Sequence, residues 1–202
     1  MENNTYNTLQ KRIWMVSTII APLLLVICQF FWKDGLVTAT AGVIQMFVFF
    51  AWIFLFQGLF HAFKDTLPRF ALFGFIIAVY SSMGGSHFGV DGIYSQYIGI
   101  ETLEQKDALH TSLGWLTAFY LFIPGIFFPL VMLVLGIQLL RYKMVSQLAA
   151  LLLIIGALGF PLSRMPRIDW LAHLDNLVLL IAHILLVRDL YGTAKSNHVM
   201  QN

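Results

Sequence analysis

The chain is 202 residues long, 59% hydrophobic and only 11% charged, with a mean hydropathy of +0.79 and a formal charge of +2. A soluble domain carries about 25% charged residues, so a water-facing globule is excluded. The small net charge and the absence of a Lys/Arg cluster exclude nucleic acid as a partner. Apolar residues fall in runs of roughly 20 or more, the length an α-helix needs to cross about 30 Å of hydrocarbon. Lipid offers no partner for backbone N–H and C=O groups, and these runs lack the alternation of barrel strands. The expected fold class is therefore an all-α integral membrane protein, a six-transmembrane-helix bundle forming one membrane domain over residues 1–202.

In chain order, the first helix is expected over about 13–32. Lys11 and Arg12 precede it as in a signal peptide, but no small-residue cleavage site follows, so it reads as retained. Cys28, the sole cysteine, lies in this run; no intrachain disulfide is possible, and it reads as a small buried apolar residue. Lys33-Asp34-Gly35 predicts a tight turn into a second helix over about 36–63. Pro68 suits the first turn of a third helix, about 68–85. The stretch from Ser86 to Glu101, rich in glycine and aromatics, reads as the one substantial loop. Thr102 and Gln105 match a capping box that opens a fourth helix, about 103–140, with bends expected at Pro124 and Pro129. The fifth and sixth helices follow over about 145–162 and 170–190, and residues 191–202 read as a polar tail.

With the N-terminus inside, the cytoplasmic segments hold Lys11, Arg12, Lys64, Arg69, Arg141, Lys143, Arg188 and Lys195. The outer segments hold Lys33, Lys106, Arg164 and Arg167. The positive-inside rule thus predicts an N-in/C-in, multi-pass protein of the cell (inner) membrane, with the bilayer as its first partner.

Ionisable residues within spans are costly in lipid and normally face a bundle interior or a wet cavity. On the sixth helix, Asp169, His173, Asn176 and His183 share an arc of roughly 80°, predicting an inward polar stripe. Asp175 lies about 120° away from that stripe and needs its own partner, for which an arginine of the preceding loop is a candidate. On the fourth helix His110, Gly114, Thr117 and Pro124 share a side, and Gly114 suits close helix packing. His87 and Asp91 sit among Gly84, Gly85, Gly89 and Gly92, which permit unusual backbone geometry. Combining topology and depth puts His87, His110, Arg164, Arg167, Asp169, His173 and Asp175 at one outer level. A smaller inner level holds His61 and His183, two histidines at similar depth that either touch or are unrelated; each alone reads as a hydrogen-bonded core residue.

The leading expectation is an outer-side pocket that binds a small polar or amphipathic molecule, for transport or sensing. Arg164 and Arg167 would hold anionic groups, with His87, His110 and His173 supplying hydrogen bonds or a proton. Asp169 and Asp175 would orient them, Asp91 would belong to the same binding site, and Asn176 and His183 would continue the path inward. The same groups also suit a purely structural network with each other and with lipid headgroups. A membrane enzyme or redox subunit is the first competitor, with zinc on His87, His110 and His173 or a haem on a histidine pair. No HExxH-type signature supports the metal, and His173 and His183 are about 15 Å apart along the helix, short for two stacked haems. The second competitor is a non-catalytic subunit packed against a homo-oligomeric copy or a membrane partner.

Overall fold

The computed structural model describes residues 2–192. Residues 193–202, with Lys195 and most of the tail read from the sequence, lie outside the described residues. The described chain folds into α1 (Glu2–Gln29), strands β1 (Trp32–Lys33) and β2 (Leu36–Val37), α2 (Ala39–His61) and α3 (Pro68–Tyr97). After these come α4 (Leu103–Leu113), the single turn α5 (Trp115–Thr117), a π-helical turn over Ala118–Phe122, α6 (Ile123–Arg141), α7 (Gln147–Arg164) and α8 (Asp169–Tyr191). Among the described residues six segments are long and apolar enough to cross a membrane, Trp115–Arg141 counting as one.

Chain neighbours pack side by side, and α8 returns to α1, so the six long segments close into a ring. Helix α2 is apolar on every side, and its Trp52 and Phe56 fill the middle of the bundle at full burial. Trp52 meets Phe128 of α6 edge-on at 4.9 Å and His183 of α8 at 5.0 Å, and Phe128 in turn meets Phe160 of α7. A ring of large aromatics thus ties four helices together.

The turn after α1 is a two-residue hairpin, with Trp32 paired to Val37 and Lys33 to Leu36. Asp34 and Gly35 both take positive φ, 50° and 75°, the left-handed pair that matches strand twist and favours Asp-Gly. The capping box also forms: the Thr102 hydroxyl accepts from the Gln105 N–H while the Gln105 side chain reaches back.

Three elements differ from the sequence expectation: α1 begins at Glu2 and ends at Gln29, where a helix over about 13–32 was expected, and the other two concern the third and fourth helices. The stretch 86–101 is not a loop; α3 continues to Tyr97. Its glycines serve close packing and not turns. Gly89 lies so close to Gly42 of α2 that a Cβ on Gly89 would meet the Gly42 carbonyl oxygen at 2.6 Å, and one on Gly92 would meet Val37 at 2.7 Å. Such small-residue contacts let two helix backbones approach closely. The fourth helix is not continuous over 103–140. It breaks at Gly114, whose φ of 58° ends α4. Gly114 is therefore a break and not a packing surface.

The π turn follows from Pro124. Lacking an N–H, Pro124 cannot bond the carbonyl of Tyr120 four residues earlier. His87 Nδ1 of α3 lies 3.1 Å from that oxygen, and the Tyr80 hydroxyl donates to the Phe119 carbonyl. Side chains of α3 thus satisfy the backbone that the proline leaves open.

Candidate functional site

The bundle end that carries the hairpin encloses a cavity of about 620 Å³. Its walls are apolar: Leu25 of α1, Phe49 of α2, Phe88 of α3, Leu130 and Leu133 of α6, and Ala157 of α7. Three segments meet over it. A Cβ on Gly35 of the hairpin would lie 3.1 Å from the Arg167 side chain and 3.6 Å from Leu103, at the start of α4. Hairpin, α4 and the α7–α8 loop therefore close this end as one cap.

The polar lining is concentrated under that cap. Lys106, His110, Arg164 and Arg167 all face the cavity. Lys106 and His110 are one helical turn apart and form the buried face of the otherwise exposed α4. Both reach Asp91 of α3, Lys106 Nζ at 2.8 Å and His110 Nε2 at 3.3 Å. The Thr117 hydroxyl donates to the His110 carbonyl, tying the helix across its break.

A second knot joins α7, α8 and α1. Arg164 Nη1 donates to Asp175 Oδ2 at 3.0 Å and to Ser163 Oγ at 2.7 Å, and its Nη2 donates to Asn176 Oδ1. The Asn176 amide donates to the Leu25 carbonyl. Gly159 leaves the notch in α7 that receives the Asp175 carboxylate, and the Arg164 guanidinium lies over the Phe160 ring at 4.0 Å. The loop arginine sought for Asp175 is Arg164, at the last position of α7. Arg167 is set differently: its φ is +56°, and its contact to Asp107 is long, 3.9 Å.

Asp91 and Asp175 stand behind the cations and do not line the cavity. The charged groups that face it are lysine and arginine. An apolar body with a cationic, hydrogen-bonding end is thus built from α4, α6, α7 and the cap. Chemically this arrangement suits an apolar molecule with an anionic end; the Asp91-bound His110 adds a group able to give or take a proton.

The seven groups expected at one level do not converge. His110, Arg164 and Arg167 reach the cavity. His87 stacks on Tyr120 at 4.2 Å and serves the π turn, and His173 packs on Phe30 at 4.6 Å. Asp169 is exposed. Among the described residues no group of three His, Cys, Asp or Glu side chains is placed to hold a metal ion, and His87, His110 and His173 face different neighbours.

The polar stripe of α8 is also rotated from its expected direction. The buried face is Ala172, Asp175, Asn176, Leu179, Ala182, His183 and Leu186. Asn176 and His183, two of the four residues expected inward, are fully buried on this face, while His173 points about 120° from its centre. Small residues and leucine take the centre because α7 and α1 approach closely there, and Asp175, expected to be off the stripe, lies on the inward face. At the opposite end, His61 tilts over Trp14 beside a hollow of about 350 Å³ lined also by Lys11, Arg12 and Tyr191. His183 is instead sealed against Trp52, with Nδ1 beside the Leu179 carbonyl. The two histidines do not pair.

Lys106 is the site residue that sequence reading passed over. Its spacing of four from His110 already put both on one face of α4. Gln45, whose amide donates to the Gly85 carbonyl at the cavity wall, left no such signal. Comparison with protein families, with curated proteins and with solved structures gives no match to the chain.

Proposed function

We propose that this chain is a six-span protein of the cell (inner) membrane, N-in/C-in, whose outer-end cavity holds a small amphipathic ligand for transport or sensing. The membrane reading is supported by the broad apolar exterior, with Phe47, Phe50, Leu72 and Phe73 all exposed, a surface that water does not tolerate on this scale. Exposed Trp115, Trp170, Tyr94 and Tyr97 gather toward the hairpin end, where an interfacial aromatic belt is expected. The opposite end carries Lys11, Arg12, Lys64, Arg69, Arg141, Lys143 and Arg188, against Lys33, Lys106, Arg164 and Arg167 at the hairpin end. This asymmetry supports the stated orientation.

The observation that carries the ligand reading is the lining itself: an apolar chamber whose charged lining is cationic, with the carboxylates Asp91 and Asp175 turned behind. In this reading Lys106 and Arg167 receive the polar end, Arg164 fixes the wall beside it, and His110 supplies a hydrogen bond or proton. His87, His173 and Asp169 take no part.

The test is native mass spectrometry of the gently solubilised protein. The wild type is expected to carry a small amphiphile that Leu133→Trp and Ala157→Phe, which fill the cavity, each exclude while the folded mass and melting temperature hold. An amphiphile retained by both variants would place the binding elsewhere and overturn the reading.

A further inference from the structure

We infer that the occupant of this cavity is an anionic membrane lipid that enters sideways from the bilayer between α6 and α7, and not a solute arriving from water. The inference rests on the amphiphile reading above and adds two things to it, the charge of the ligand and its route.

The route follows from what is closed and what is open. The water-facing end is covered by the cap in which the hairpin, Leu103 and Arg167 touch, with buried Lys106 and His110 beneath it. The side wall is different. Toward the opposite end α6 and α7 pack tightly, since Gly136 admits Ile154 so closely that a Cβ there would meet it at 2.7 Å. Nearer the cap, the cavity-lining residues Ile126 and Leu130 of α6, Leu158 of α7 and Met165 just after it are also 50%, 45%, 49% and 72% exposed. A side chain that lines a cavity and is also about half exposed stands at its mouth. The mouth therefore runs along the α6–α7 seam, on the apolar exterior. Each helix carries a proline within the lining, Pro129 and Pro161, the residue that removes a backbone bond and bends a helix.

The charge follows from the end of the chamber. Lys106 has three N–H donors and arginine has five; Asp91 engages Lys106, and Ser163, Asp175 and Asn176 engage Arg164, while Arg167 has only its long contact to Asp107, and neither Asp91 nor Asp175 lines the cavity. Donors left toward the chamber select an acceptor-rich anionic head, while an added choline-type cation is repelled. Arg167 carries a further mark. It holds a left-handed backbone conformation that is unfavourable for a side chain with a Cβ, and strain of this sort is kept where the surroundings over-determine it, often at binding sites.

The experiment uses the full chain in neutral detergent and in vesicles. The probes are lysophosphatidylglycerol and lysophosphatidylcholine of equal chain length, with glycerol phosphate and inorganic phosphate as water-borne controls. Lysophosphatidylglycerol is expected to bind about tenfold more tightly than the choline lipid, equivalent to about 1.4 kcal/mol. Arg167→Gly should lose that preference while melting at the wild-type temperature or above. Leu158→Trp and Leu130→Trp, both on the lipid-facing surface, should slow uptake of phosphatidylglycerol from doped phosphatidylcholine vesicles without unfolding the protein. Equal binding of the two lysolipids, competition by glycerol phosphate or inorganic phosphate, or unchanged uptake in both tryptophan variants would overturn the inference. If Leu133→Trp still blocks every lipid in that case, the cavity reading stands and only the charge and route fall.

Discussion

Arg164 shows how one residue can be legible in type and not in role. An arginine near a helix end reads as a headgroup anchor, yet three side-chain acceptors, Ser163, Asp175 and Asn176, already engage it. Its side chain is 12% exposed and that of Asp175 is 3% exposed. Removing one partner from such a pair leaves a buried unpaired charge, at a cost of about 3–5 kcal/mol. Arg164→Ala and Asp175→Ala are each expected to lower stability by that order in thermal or denaturant melts. The double variant should cost clearly less than the two together, because neither charge is then stranded. Additive losses would mean that the two side chains do not support one another. The partner for Asp175 was foreseeable from its need for one; the third acceptor, Asn176, was not, because it depends on how α7 lies against α8.

Among the elements, α3 shows how a glycine-rich helix resembles a loop in sequence. Clustered glycine, serine and aromatic residues resemble a loop, since glycine is poor in an isolated helix. Within the bundle that cost is offset by backbone approach: Gly42 of α2 and Gly89 of α3 face each other, and a Cβ on either would press on the other's carbonyl. Gly89→Ala is expected to destabilise by about 1–3 kcal/mol, as overpacking against rigid backbone does. Gly125→Ala, whose new Cβ would meet only the Phe88 ring at 3.1 Å, should cost less in the same melt. Equal losses would indicate that helix entropy and not close packing governs these positions. The break at Gly114 had a similar ambiguity in sequence. A glycine four residues after a histidine suits packing or a turn equally, and the backbone chose the turn, with φ at 58°.

For the molecule as a whole, the predicted orientation has a direct readout. Cys28 is buried at 1% exposure, and its thiol donates to the Ala41 carbonyl, so it is a silent background for labelling. In intact cells a membrane-impermeant maleimide should label Glu104→Cys, in the exposed first turn of α4, and spare Asp65→Cys, in the exposed α2–α3 turn. The reverse pattern would invert the bundle and move the cavity to the cytoplasmic side. Labelling of both, or of neither, would contradict a single fixed orientation. The orientation bears on the proposed ligand, because Lys106, Arg164 and Arg167 and the exposed Trp115, Trp170, Tyr94 and Tyr97 all lie toward the hairpin end.

Six long apolar runs, the Asp34-Gly35 turn and the Thr102 cap were readable from composition and spacing, because backbone satisfaction in an apolar medium and local hydrogen bonding are short-range constraints. The ionisable residues near the helix ends were readable by type. What those groups do was not readable. A shift of about 100° per residue decides which side of a helix faces inward, and the packing of α7 and α1 against α8 turned Asp175 in and His173 out. The cavity itself arises from segments far apart in the chain, with its polar end framed by α4 and the α7–α8 loop. Asp175 stands behind its cation because α8, which carries it, contributes no wall to the chamber, a relation that spacing along one chain does not encode.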